Sequence, residues 1–76
     1  MKIPQGIYYH YKDKGKHYEV LGVALNTETE EELVIYRPLY ETDHELFARP
    51  VSMFLEEVDA PEYSHQGPRF VFVRDT

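Results

Sequence analysis

The chain has 76 residues, of which 14 are acidic, 8 are basic and none is cysteine, and its formal net charge is −6. A chain this short makes one domain with a thin core, burying only roughly 60% of the surface its unfolded form exposes. The lack of cysteine excludes disulfides, thiolate-bound zinc and iron–sulfur clusters, and it points to the cytoplasm, because secreted domains of this size usually need such staples.

Met1–Gly6 has no apolar stretch behind Lys2, so no signal peptide is expected. The first periodic segment is Gly6–Tyr11, in which Ile7, Tyr9 and Tyr11 share one face of a strand and Tyr8 and His10 the other. Lys12-Asp13-Lys14-Gly15 reads as a turn, and His17–Leu25 as a second strand in which Gly22 marks a bulge or bend. Val20–Leu25 is also the longest apolar run, broken by Gly22 and far too short to cross a bilayer.

Asn26–Glu31 admits two descriptions. Thr27 with Glu30, or Thr29 with Glu32, matches a helix capping box, yet Leu33-Val34-Ile35-Tyr36 favours strand, so the segment is expected to be a hairpin loop leading into strand three. Pro38 ends that ladder, Glu41–His44 is a polar turn, and Leu46–Arg49 a short fourth strand. Residues 50–58 are open. Pro50 suits a helix start with Val51, Phe54, Leu55 and Val58 at helical spacing, while a tight turn followed by a strand from Leu55 to Val58 fits equally well. Residues 59–68 are turn formers throughout and read as a flexible loop, and Arg69–Val73 closes the chain as a last strand. The pattern predicts a single all-β domain over 1–76, a small SH3-like, partly open barrel of five to six short antiparallel strands.

Two resemblances sharpen this expectation. Gly6-x-Tyr8-x-His10-Tyr11-Lys12, Tyr18-x-Val20-Leu21-Gly22-x-Ala24, Leu33-Val34-x-Tyr36-x-x-Leu39-Tyr40 and Arg49-Pro50-x-x-Met53-Phe54-Leu55-Glu56 together resemble a small bacterial family known only as domain of unknown function 1653. The similarity runs from Gly6 to Val58, with Arg69-Phe70 matching the closing strand, and Phe47 stands where that family often has tryptophan. The resemblance implies a fold and no mechanism. The turn Pro50-Val51-Ser52-Met53-Phe54 is also similar to the one before the last strand of SH3-like barrels, but the acidic-aromatic signature of proline-peptide binders is missing.

Charge and composition narrow the function classes. Residues 26–62 carry eleven acids against Arg37 and Arg49, a distribution that disfavours nucleic acid, whose binding rests on neutralising phosphates. The seven tyrosines exceed what a thin core hides. They line a groove around Tyr8, His10 and Tyr36, or they fill the rims of a small barrel with their hydroxyls in water. Arg49, before Pro50, either stacks on tyrosine or clamps an anion beside Tyr8 and Tyr36, or it caps the tight turn or pairs with Glu45 or Glu56. Gly22, Pro50 and Phe54 are structural. No cofactor or membrane partner is expected, and no metal, since the four histidines match no ligand motif and His10, Asp43 and His44 form the least unfavourable set.

No catalytic constellation appears. There is no nucleophile elbow and no glycine-rich phosphate loop, and Glu56 and Glu57 point to opposite faces of a strand. The leading expectation is therefore a non-enzymatic module that binds a peptide, a protein or a small polar ligand at Tyr8, His10, Tyr36 and Arg49. The alternatives are a small enzyme using His10 with a convergent carboxylate, and a weak single-stranded nucleic-acid binder using Tyr8, Tyr11, Lys12, Lys14 and Lys16.

Overall fold

Alternating side chains build an antiparallel meander from Gly6 to Pro50. The computed structural model describes residues 3–76, so Lys2 of the basic N-terminal stretch lies outside it. Strand β1 (Gly6–His10) turns at Tyr11-Lys12 into β2 (Asp13–Leu25), earlier than the turn expected at 12–15. The ladder steps from Tyr9–His17 to His10–Asp13, so Lys14, Gly15 and Lys16 loop outward. The Asp13 carboxylate fastens this loop by accepting the Gly15 N–H at 3.1 Å.

At the next hairpin Asn26 organises the chain, and no capping box forms. Its side-chain oxygen accepts the N–H of Glu28 at 3.0 Å, its backbone is bridged to Glu30 and Glu31, and Glu30 takes φ of 61°. Strand β3 (Glu32–Pro38) then pairs with β2, and their register slips between Val20 and Gly22, leaving Leu21 unpaired in a bulge. After the 39–46 loop, β4 (Phe47–Pro50) adds to the free edge of β3. Pro50, with φ of −53° and no N–H to donate, ends that strand, and the single helical turn α1 (Val51–Phe54) follows.

Four residues are far too few to hold a helix on their own, and α1 has no side-chain cap. Burial of Val51 and Phe54 holds it in place. The tight turn followed by a strand is thus what forms over 50–58, with strand β5 (Glu57–Ala60) starting two residues later than expected. Residues 59–68, expected as a loop, instead carry the end of β5, a 3-10 turn (Pro61–Tyr63) and β6 (His65–Pro68). The two strands pair as a separate hairpin. The turn formers of this segment serve a hairpin in which Ser64 takes the left-handed conformation. The proline-started turn consequently precedes β5 and not the last strand.

Strand β7 (Phe70–Arg74) closes the main sheet by pairing with β1, giving the order β4-β3-β2-β1-β7. The fold is all-β, with seven strands in two antiparallel sheets in place of five or six, and the larger sheet curls without closing into a barrel. Its concave face holds the core of Ile3, Tyr8, Val20, Val34, Tyr36, Val51, Phe54 and Phe70. Phe54, almost wholly buried, projects from α1 into this concavity. It stacks on Phe70 with ring centroids 4.3 Å apart and planes within 5°, and meets Tyr8 and Tyr36 edge-on at 5.4 and 5.7 Å.

Three substitutions test this account by chemical denaturation. Phe54→Ala should cost about 3–5 kcal/mol, a large share of the roughly 4–11 kcal/mol expected for a chain of this length. Gly6→Ala should cost more than about 1 kcal/mol, because Gly6 has φ of 151° and a Cβ there would lie 2.6 Å from the Arg74 carbonyl oxygen. At Gly22 a Cβ meets nothing within 4 Å, so Gly22→Ala should leave stability unchanged or raise it by up to about 1 kcal/mol. Equal losses at both glycines would contradict the placement of β7 against Gly6.

Candidate functional site

Phe54 fills only one end of the concave face. Along β1 the alternation puts Tyr8 and His10 on that face; Phe54 covers Tyr8, and the His10 end is left open. The opening is a pocket of about 300 Å³ lined by His10 of β1, Tyr18 of β2, Tyr36 of β3, Phe47, Ala48 and Arg49 of β4, and Phe70 of β7. Every strand of the larger sheet contributes to it. A wider depression of about 520 Å³ lies under the 39–46 loop, lined by residues that include Leu21, Leu46, Glu41 and Glu45. The smaller pocket is the better candidate, because its lining converges from five strands around a positioned cation.

That cation is Arg49. Its Nε donates to the Tyr36 hydroxyl at 3.3 Å, and its guanidinium stands over the Phe70 ring, 5.3 Å from the centroid. Among the described residues no carboxylate lies within ion-pair distance of it. The turn-capping role considered for Arg49 belongs to Arg69, whose Nε donates to the Met53 carbonyl at 3.2 Å and whose guanidinium pairs with Glu56. Arg37 is likewise paired, with Glu19 opposite it on β2.

His10 packs edge-on against Phe70 at 5.0 Å and stacks on Tyr11 at 4.8 Å. Its Nδ1 accepts the backbone N–H of Lys12 at 3.1 Å, so the neutral ring carries its proton on Nε2. Burial pushes the imidazole down to about 4, and the positive charges of Arg49, Arg69 and Lys12, together with His65, push the same way. Tyr18 donates to or accepts from the Tyr40 hydroxyl at 3.0 Å, and burial, aided by that bond, raises its ionisation well above the ordinary phenol range. The pocket at neutral pH therefore presents one fixed positive charge, a neutral imidazole and the un-ionised Tyr18 phenol among aromatic rings.

Of the four residues singled out from sequence, His10, Tyr36 and Arg49 come together and Tyr8 does not. Tyr8 is buried between Phe54 and Phe72, and its hydroxyl donates to the Pro4 carbonyl at 2.8 Å. Arg49 stands beside Tyr36 and Phe70, not beside Tyr8. Tyr11 is also buried, edge-on to Tyr63 and stacked on His65, so Tyr8 and Tyr11 do not form an exposed stacking platform for single-stranded nucleic acid. Among the described residues no group of three or more histidines and carboxylates is placed to hold a metal ion, and His44 lies by Phe47 and the wider depression, apart from His10.

Tyr18, Phe47 and Phe70 were missed as lining residues. Their signal was the strand register: Tyr18 is the cross-strand partner of Tyr8, Phe70 of His10 and Phe47 of Tyr36. With the face of β1 chosen, correct pairing places all three on that face.

The depressed His10 sets a pH dependence. Between the ordinary imidazole value of 6.5 and about 4, the unfolded chain binds a proton at His10 that the folded chain refuses, so stability falls as pH drops through that window and levels below it. The imidazole resonances of His10 should titrate with a midpoint near 4. His10→Gln should flatten the loss of stability between pH 6.5 and 4, and a normal midpoint for His10 would refute the burial described here.

The chain's relatives agree on family and give no activity. The family described as a protein of unknown function (DUF1653) matches residues 6–72. The crystal structure of a DUF1653 protein from Bordetella bronchiseptica is 33% identical and superposes with a TM-score of 0.84, over 97% of this chain and 91% of that one. No curated protein matches. With most of its length matched by the family and a solved member sharing the same fold, the chain belongs to the DUF1653 family.

Proposed function

We propose that this chain is a single-domain, non-enzymatic binding module whose ligand, a peptide, a protein segment or a small polar molecule, enters the aromatic pocket at His10, Tyr36 and Arg49. The observation that carries this reading is the Arg49 guanidinium, held by Tyr36 and Phe70 at the pocket wall with no carboxylate partner among the described residues. A half-buried cation held in place by a phenol and a ring, with no counter-ion among the described residues, is ready to meet a charged or polar ligand group. The groups around His10 also favour binding over catalysis. A general base works best with a pKa near the working pH, whereas burial and the surrounding cations hold His10 down at about 4 and no carboxylate lines its pocket.

The curled sheet supports an SH3-like architecture, the proline-started turn, which precedes β5, does not, and neither supplies the acidic-aromatic reader of a proline-rich ligand. The cysteine-free sequence supports a cytoplasmic location, and no helix of the described residues is long and apolar enough to cross a membrane.

Chemical-shift mapping of the isotopically labelled protein against a library of small polar fragments tests the assignment. Hits should perturb His10, Tyr18, residues 47–49 and Phe70 together. Hits confined to other faces, or hits on the pocket that survive Arg49→Ala and Tyr36→Phe unchanged in folded protein, would contradict it.

A further inference from the structure

Arg49 is fixed but incompletely used. Its Nε is engaged by Tyr36 and its plane by Phe70, while the two terminal Nη groups have no partner among the described residues. That leaves one edge of a planar fork free, the edge that forms paired parallel hydrogen bonds to a planar anion. His10 adds a second donor of fixed identity. Because its Nδ1 is occupied by the Lys12 N–H, the ring's far edge carries Nε2–H. The other lining groups are the rings of Tyr18, Tyr36, Phe47 and Phe70 and the methyl of Ala48, and none of the lining side chains is a carboxylate.

The charge balance selects among anions. Arg49 is the one permanent charge of the lining, since His10 is neutral across the physiological range and the Tyr18 phenol is un-ionised. Arg69, the next arginine, is already paired with Glu56. A single positive charge in an aromatic cup matches a monoanion, whereas a phosphate monoester brings close to two negative charges and three oxygens. The volume, about 300 Å³, lies at the small end of ligand cavities. Resting on the binding-module reading above, we propose that the pocket is a receptor for a carboxylate borne on a compact apolar or aromatic body, with the carboxylate on the free edge of Arg49 and the body against Tyr18, Phe47 and Phe70. Such a carboxylate occurs on free organic acids and at the C-terminus of a peptide ending in an apolar residue.

The test is an NMR titration of the labelled protein with benzoate and N-acetyl-phenylalanine, each paired with its neutral counterpart, benzamide and N-acetyl-phenylalaninamide, and with inorganic phosphate. Both or either of the acids should bind saturably, shifting the Arg49 Nε, His10 and Phe70 resonances, with the amides and phosphate at least tenfold weaker. Tighter binding of benzoate assigns the pocket to free acids, and tighter binding of N-acetyl-phenylalanine to chain termini. Arg49→Met should abolish the difference between acid and amide. Arg49→Lys, which keeps the charge and loses the fork, should weaken the acids about tenfold and decides the matter if Arg49→Met does not fold. The proposal is overturned if amides or phosphate bind as tightly as the acids, if the acids fail to reach the pocket, or if the arginine variants bind the acids unchanged. Amide binding confined to the pocket would refute the carboxylate and leave the binding module standing, whereas silence of the pocket toward every probe would refute both.

Discussion

The contact of Arg49 with Phe70 joins the two edges of the main sheet, and the rest of the molecule is arranged around it. Arg49 lies on β4 and Phe70 on β7, four places apart in the order β4-β3-β2-β1-β7. In a flat sheet with strands about 4.8 Å apart they would be separated by about 19 Å. A guanidinium standing 5.3 Å from the ring centroid therefore measures how far the sheet has curled. The curl has visible sources in the chain. The bulge at Leu21 and the slips in β1's two ladders raise the local twist, and the long β2 spans the bend.

Curling creates a concavity that a chain of this length fills with very few residues. Phe54 does most of that filling, delivered by a helical turn that exists because Pro50 ends β4 and because Arg69 ties the turn's carbonyl to the start of β7. The Arg69 side chain also pairs with Glu56, and its backbone N–H donates to the Glu56 carbonyl at 2.8 Å, so α1 and the last strand are fastened at one point. Phe54 and Phe70 then stack in parallel, which fixes Phe70 as the wall between the filled end of the concavity and the open one. The pocket is the part of the groove that Phe54 does not reach.

Much of this was legible in the sequence, and the failures have a common cause. Period-two alternation and runs of β-branched and aromatic residues located β1, β2, β3 and β7, and the run after Asn26 overrode the capping-box match. The β5–β6 hairpin was not legible. Asp59 to Pro68 buries only Ala60 and so carries no apolar alternation to detect. Tyr8 and His10 were correctly placed on one face, but alternation says nothing of what covers a face. Only the tertiary position of Phe54 buries Tyr8 and leaves His10 open. Arg49 and Arg69 show the same limit: both adjoin the turn, and position in the chain does not reveal which of them closes it and which faces the pocket.

In a fold this small, the pocket and the core are not separate sets of residues. Tyr36 is 4% exposed and belongs to the core, yet its hydroxyl holds Arg49; Phe70 is equally buried and supplies the pocket wall. Packing accounts for both rings. It does not account for the orientation of the guanidinium, because the stem of the half-buried Arg49 could cover Phe70 with its head in water, yet the head is turned onto the Tyr36 hydroxyl and the ring. The sequence also has acids to spare, 14 in all, and Glu45 and Glu56 near Arg49 in the chain, yet Glu56 goes to Arg69. The feature that stability leaves unexplained is therefore narrow: one cation, oriented by a phenol and a ring, whose free edge is what a ligand would meet.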